Sequence, residues 1–152
     1  KTIEPDENYI LPIGKACKVI EAEEKHEKSG ESLVIITYGR GVYWSLEASK
    51  YFAGKIEILD LRTLSPLDED QILKSVKKHG KSLIVTEEPS SASFSLGIAG
   101  FIQENCFEFL DAPVKIIGSE NTPAIPLNEN LEFTYLPNAS KVQKAISTLL
   151  EY

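Results

Sequence analysis

Four groups of residues in this chain have the types and spacing to do chemistry. Gly39-Arg40-Gly41 follows an apolar run and opens a helical pattern, and Asp60 lies about 20 residues further on. That is the layout in which glycines let a backbone wrap a pyrophosphate and an acid holds a ribose. Trp44 stands where a third glycine would permit close helix packing, so an indole opposes the dinucleotide reading. Glu87 and Glu88 are adjacent carboxylates that could divide acid and base roles. Neighbours on a strand point to opposite faces, however, and do not converge on one atom; a solvated or interface-paired strand end is expected. His26 lies in a run of charge and His79 at a helix C-terminus, where a protonated imidazole suits the helix dipole. Ser90, Ser91, Ser93 and Ser95 precede a helix, where serine caps, and no Gly-x-Ser-x-Gly elbow surrounds them. No P-loop, HExxH or Cys/His zinc spacing occurs. Catalysis needs a convergent set of tuned groups, and these residues do not supply one.

The elements that must position these groups read clearly. Residues 16–20 have strand character and residues 21–31 are nearly all charge, which predicts a solvated loop. Residues 33–38 are apolar on both faces, as a strand covered on both sides must be. Gly39 to Gly41 turns the chain into a helix with Val42, Leu46, Ser49 and Phe52/Ala53 on one stripe. The unit repeats: a strand over 56–61, a helix with Asp68, Glu69 and Asp70 at its start and Lys77, Lys78 and His79 at its end, and Gly80 as the stop. A strand over 82–86 leads into a helix bearing Ile98, Ile102, Cys106 and Phe109. A strand over 114–117, a Pro-punctuated segment over 122–137, and a helix bearing Val142, Ala145, Ile146 and Leu149 complete the pattern. Alternation of this kind predicts a three-layer α/β/α domain around a five-stranded, mostly parallel sheet. The link between the first two strands holds no crossover helix, so the first strand should run antiparallel at an edge.

Composition narrows the function class. The 152 residues carry 16 Lys+Arg against 23 Asp+Glu, a net charge of -7, which argues against a nucleic-acid footprint. The one basic cluster, Lys74, Lys77, Lys78 and Lys81, reads as a solvated helix end. No apolar run approaches the ~20 residues of a membrane span. Cys17 and Cys106 sit in apolar patterns without a second thiol or metal-spaced histidine, which predicts reduced thiols and a reducing compartment. The absence of any Met and the start at Lys1 suggest a piece of a longer polypeptide.

Read together, Ile13-Gly14-Lys15-Ala16, Thr37-Tyr38-Gly39, Asp60-Leu61-Arg62-Thr63-Leu64-Ser65-Pro66-Leu67-Asp68, Glu87-Glu88, Gln103-Glu104-Asn105-Cys106-Phe107, Leu110-Asp111-Ala112-Pro113-Val114 and Thr122-Pro123 resemble the C-terminal domain of the beta chain of thiamine-diphosphate-dependent 2-oxoacid dehydrogenases, a domain shared with transketolase. Cys106-Phe107 and Leu110 to Pro113 look closest to the branched-chain (2-oxoisovalerate) members. The resemblance implies a lead-in over 1–12 from a preceding domain and a transketolase C-terminal-like domain over 13–152. It implies a parent that oxidatively decarboxylates a 2-oxoacid and passes the acyl group to lipoyl, with thiamine diphosphate and Mg held by other domains, and a fragment inert alone. No catalytic residue carries over, and this fragment is expected to bind no cofactor itself.

The implied partners are the preceding domains of the same chain, the partner chain of the dehydrogenase and the dihydrolipoyl acyltransferase core, in an oligomeric parent. The implied location is cytoplasmic, or the mitochondrial matrix in a eukaryote. The alternatives are the same domain of a pyruvate or acetoin dehydrogenase or a transketolase-like enzyme and, outside the family, a free-standing nucleotide- or anion-binding module. The family's loop after Glu87-Glu88 is usually glycine-rich; here it is Pro89-Ser90-Ser91-Ala92-Ser93-Phe94-Ser95-Leu96-Gly97. The interface candidates are Arg40, Arg62, Glu87, Glu88, Thr122 and Pro123, with Tyr43, Trp44, Tyr51 and Phe94 as apolar extras facing other protein. Arg62 should anchor a carboxylate of another domain or subunit; an intradomain pair with Asp60, Asp68 or Glu88 is the alternative.

Overall fold

The computed structural model describes residues 6–152. In chain order it contains β1 (Cys17–Ile20), α1 (Glu24–Lys28), β2 (Leu33–Thr37), α2 (Arg40–Ser49), β3 (Ile56–Asp60), α3 (Glu69–His79), β4 (Ser82–Pro89), α4 (Phe94–Cys106), β5 (Lys115–Ser119), α5 (Glu129–Tyr135) and α6 (Ala139–Leu150). The five strands form one sheet in the order β1-β3-β2-β4-β5. β2 to β5 are parallel, and β1 pairs antiparallel with β3 at the edge, as expected, although the β1–β2 link does hold a short helix, α1.

Side-chain alternation divides the interior in two. Leu33 and Ile35 of β2, Ile56 and Ile58 of β3, and Leu83 and Val85 of β4 pack against Ala48 of α2 and Val142, Ile146 and Leu149 of α6. Their neighbours Val34, Ile36, Leu59 and Ile84 face the other way, onto Ile72 and Val76 of α3 and Ile98, Ile102 and Cys106 of α4. Each such fully buried aliphatic contributes about 1.5–3 kcal/mol by leaving water, so both layers are tied to the sheet.

The helix ends follow local rules. The Asp68 carboxylate accepts the Gln71 N–H at 3.4 Å to start α3, and Gly80, at φ 68°, ends it with its N–H on the Val76 carbonyl. Ser93 caps α4 through the Leu96 N–H and Asn138 caps α6 through the Lys141 N–H, so one of the four serines fills the predicted capping role.

Five local expectations need correction. Residues 21–31 are not a solvated loop throughout: α1 forms there, Glu27 pairs with Lys78 of α3, and the Lys81 ammonium donates to the Gly30 carbonyl at 2.7 Å. The charged segment is thereby folded back onto the domain. For the same reason the Lys74–Lys81 group is no uniform solvated end, since Lys81 is buried. β4 continues three residues past Thr86, to Pro89, because Pro89 pairs with Ser119 across a register shift in β4–β5. Phe109 lies in a 3-10 turn (Phe107–Phe109) rather than on the α4 stripe and is exposed, and the Pro-punctuated segment contains α5, capped by Asn128.

Both cysteines are free thiols. Cys106 is fully buried, and burial pushes its thiol up in pKa against the pull of Lys77. Cys17 is half-buried on β1. Ellman's reagent is therefore expected to find two thiols in the unfolded chain but to label Cys17 well before Cys106 in the native one. Equal native rates would contradict this burial.

Candidate functional site

In a parallel sheet the carboxyl ends of the strands form a rim where ligands gather. Thr37 aligns with Asp60 on one side and with Val85 on the other, so Tyr38 to Gly41, Asp60 to Arg62 and Thr86 to Glu88 emerge together. An open cleft of about 270 Å³ lies between Tyr38, Arg40, Leu64, Thr86, Glu88 and Phe94. A second hollow joins Tyr9, Gly39, Tyr43, Asp60 and Arg62, and Gly39 lines both.

One acid of the rim, Glu88, is already engaged. The Tyr38 hydroxyl donates to Glu88 Oε1, and Thr86 Oγ1 lies 2.9 Å from that hydroxyl. Glu88 Oε2 accepts the Phe94 N–H at the start of α4, at 3.0 Å. Burial works against the Glu88 anion, yet the Tyr38, Phe94, Thr86 and Ser95 donors hold its carboxyl below the usual range. Burial, reinforced by the Glu88 charge, pushes Tyr38 up to about 12. A carboxylate this saturated and a phenol this weakly acidic make a poor general base and acid near neutrality. Glu88 is a cap and a brace, not a solvated strand end, while Glu87 is exposed.

The basic side chains are not engaged. Among the described residues neither Arg40 nor Arg62 forms an ion pair. The Arg40 guanidinium lies over the Trp44 ring, 5.6 Å from its centroid. Arg62 is exposed and held at φ 58°, its N–H donating to Asp60 Oδ1 at 3.1 Å. A left-handed non-glycine residue at a strand's carboxyl end costs of order 1 kcal/mol or more, which points to a role for the side chain it presents. In this structure its guanidinium forms no ion pair with Asp60, Asp68 or Glu88, and Asp68 and Glu88 serve other donors.

Asp60 to Asp68 forms a brace between distant parts of the chain. Thr63 Oγ1 accepts the Gly14 N–H at 2.9 Å and donates to the Pro66 carbonyl at 3.1 Å. Asp68 Oδ2 accepts the Ala16 N–H at 3.0 Å, and Lys15 lies 3.5 Å from Oδ1. Ser65–Pro66 is a cis peptide. Two strings about 50 residues apart in sequence thus fix the entry of β1.

The glycines beside Arg40 have a packing role. Gly39, at φ 56°, is the N-cap of α2. A Cβ on Gly41 would meet the Val85 carbonyl at 2.8 Å and the Thr37 hydroxyl closer still. The Gly41 and Val42 N–H groups are spent on the Tyr38 and Gly39 carbonyls, so this turn does not offer the free amides that a phosphate needs.

With this geometry in view, the comparisons with known proteins decide the family. The model of the family described as "Transketolase, C-terminal domain" matches residues 22–142. The chain belongs to the transketolase C-terminal domain family.

This transketolase C-terminal domain is 35% identical over 97% of its length to the 2-oxoisovalerate dehydrogenase subunit beta of Bacillus subtilis, covering 44% of that protein. It is 33% identical over 96% of its length to the acetoin:2,6-dichlorophenolindophenol oxidoreductase subunit beta of the same organism, covering 41%. It is 33% identical over its whole length to the pyruvate dehydrogenase E1 component subunit beta of Rickettsia conorii, covering 43%. The chain therefore spans less than half the length of these curated relatives. A split-gene transketolase, solved as an inactive beta4 tetramer, shares the fold at a TM-score of 0.76 and 17% identity, over 96% of this chain and 45% of that one.

The feature of the domain that sequence reasoning missed lies at the opposite, amino-terminal end of the strands. Glu57 has no solvent exposure. Its carboxylate receives the Ser75 hydroxyl and lies 3.4 Å from Lys18, 3.5 Å from Lys78 and 3.3 Å from His79 Nε2. His79 Nδ1 contacts the Ser32 hydroxyl at 2.7 Å. Burial opposes the Glu57 charge, but His79, Ser75 and Lys18 outweigh it and hold the carboxyl at about 2. Ser32, His79 and Glu57 are the residue types of a hydrolytic triad, yet Ser32 and His79 are both buried, so no substrate reaches them; the cluster is structural. The signal was available, because Ile56 and Ile58 fix the parity of β3 and send Glu57 to the covered α3 side.

Thr122 and Pro123 follow β5 and are exposed, the Thr122 hydroxyl donating to the Ala124 carbonyl. Tyr43, Tyr51 and Phe94 are also exposed, whereas Trp44 packs partly onto the core. Among the described residues no three His, Cys, Asp or Glu side chains cluster as metal ligands, and no helix is long and apolar enough to cross a membrane.

Proposed function

We propose that this chain is the C-terminal domain of the beta chain of a branched-chain 2-oxoacid dehydrogenase, where it is an assembly surface rather than a reaction centre. The observation that carries this reading is the collinear 35% identity to a 2-oxoisovalerate dehydrogenase beta subunit over 97% of the chain. The two rim arginines without an ion pair among the described residues support the second half: a guanidinium without a local partner is suited to grip a carboxylate of another chain bidentately. Arg62 is the anchor, with Arg40, Glu87, Thr122 and Pro123 as further contacts. Partners are the preceding domains, the dehydrogenase's other chain and the acyltransferase core, in a reducing compartment.

Thiamine diphosphate with magnesium supplies the decarboxylation chemistry of such a parent. The rim's donor set does not fit that group, since Glu88 is taken up by its own cap, and no step of the reaction is assigned to residues of this domain.

The test is assembly of the full beta chain with its alpha partner, assayed on 2-oxoisovalerate, pyruvate and acetoin. Preference for 2-oxoisovalerate is expected, with no turnover by the 152-residue chain alone. Preference for pyruvate or acetoin would reassign the parent, and turnover by the isolated chain would overturn the assembly reading. Within that assay Arg62→Ala is expected to leave the isolated domain's melting temperature nearly unchanged and to weaken chain association about tenfold or more. A large stability loss with assembly intact would make Arg62 structural.

A further inference from the structure

We propose that the outer edge of β5 is a docking site for an extended acidic segment of a partner chain, which adds to the sheet as a sixth strand. This surface is separate from the arginine rim and does not rest on the parent's substrate. β5 ends the sheet on its side and pairs only with β4. Among the described residues no backbone hydrogen bond from outside the sheet reaches residues 115–118. Just beyond them the chain closes its own edge, the Tyr135 carbonyl accepting the Glu120 N–H at 3.1 Å.

Beside this open edge, a cleft of about 390 Å³ runs between β5 and α6. Strand periodicity puts Lys115, Ile117 and Ser119 on one face, and helix periodicity puts Lys141, Lys144, Ala145 and Thr148 opposite them. Ile117 and Ala145 belong to the apolar core layer, so the floor is apolar and the flanks are cationic. The charge does not balance within the cleft. Its one acid, Glu120, lies 3.5 Å from Lys141, whose ammonium also donates to the Thr134 and Leu136 carbonyls. Lys115 and Lys144 have no acidic partner among the described residues. Two uncompensated lysines flanking a free strand edge, in a chain of net charge -7, select an acidic occupant.

The occupant's form follows from the edge. Unpaired N–H and C=O groups along β5 accept another extended backbone, while alternate side chains are read by what flanks the strand. The five residues of β5 span about 17 Å, enough for a short strand that presents acids at alternate positions, all on the face that carries Lys115 and Lys144. A second copy of this same edge, pairing antiparallel about Ile117, would set each Lys115 opposite Ser119 rather than an acid.

The test uses the 152-residue chain and a fluorescein-labelled peptide of roughly eight alternating glutamate and valine residues, read by fluorescence anisotropy. Saturable binding is expected, with slowed amide exchange at Ile116 to Gly118. The double variant Lys115→Glu and Lys144→Glu is expected to weaken it at least about tenfold. Both lysines are exposed, and the neutral pair Lys115→Gln and Lys144→Gln, carried alongside, should give a smaller loss in the same direction. A peptide of equal charge with a central proline should bind far more weakly, since proline cannot continue the ladder. Equal binding of the proline peptide would show bare charge attraction and overturn strand addition. No saturable binding below about 1 mM would mean that the lysines only keep sheet edges apart.

Discussion

Glu57→Gln is expected to cost the domain about 3 kcal/mol at neutral pH and to lower its melting temperature by roughly 10 °C. The carboxylate has no solvent exposure and faces Lys18, Lys78 and His79 within 3.5 Å. Removing one partner of such a cluster leaves the others without their counter-charge. An amide of the same shape keeps the volume, so the loss isolates charge from packing. The pH dependence follows from the depressed carboxyl, held at about 2. In the unfolded chain the group titrates at about 4.3, so its stabilisation is fully present above about pH 5 and drains away as the pH falls through 2. Urea titrations of the wild type and Glu57→Gln should therefore differ most near pH 7 and converge toward pH 2. Parallel curves at every pH would show that the variant acts through packing, and coincident ones would empty the cluster of energetic meaning.

The second large effect is expected at Gly41. Gly41→Ala should destabilise by about 3 kcal/mol, because its Cβ falls 2.8 Å from the Val85 carbonyl and closer to the Thr37 hydroxyl, which itself donates to that carbonyl at 2.8 Å. Two central strands supply the obstructing atoms, so relief requires α2 to lift from the sheet. Gly100→Ala on α4 is the matched control: nothing lies within 4 Å of its Cβ position, and a helical alanine there should be neutral or stabilising by about 0.5–1 kcal/mol. Denaturant midpoints of the two variants should move in opposite directions, and a neutral Gly41→Ala would show that α2 is not in close contact with β2 and β4.

The sequence by itself determined the layer order, the antiparallel edge and most helix ends. Each rests on short-range physics: apolar runs in β2 and at Leu83 to Val85 of β4, a cap such as Asp68 bonding three residues on, Gly80 accepting a left-handed turn, and a short β1–β2 link whose helix, α1, has five residues. It also contained the strings that place the chain in its family. Only the tertiary structure decided how the polar groups are spent. Glu88 becomes a brace because Tyr38, 50 residues away in sequence, reaches it from the next strand. The parity of β3 sends Glu57 inward, but its partners Lys18, Lys78 and His79 come from two other elements, β1 and α3, and α1 forms where Lys78 and Lys81 attract an otherwise solvated run. Asp68 and Glu88 are withdrawn from Arg62 by partners that no local window shows. Periodicity and capping act within a few residues and are legible in order; the pairing of charges depends on which elements meet, and folding alone brings them together.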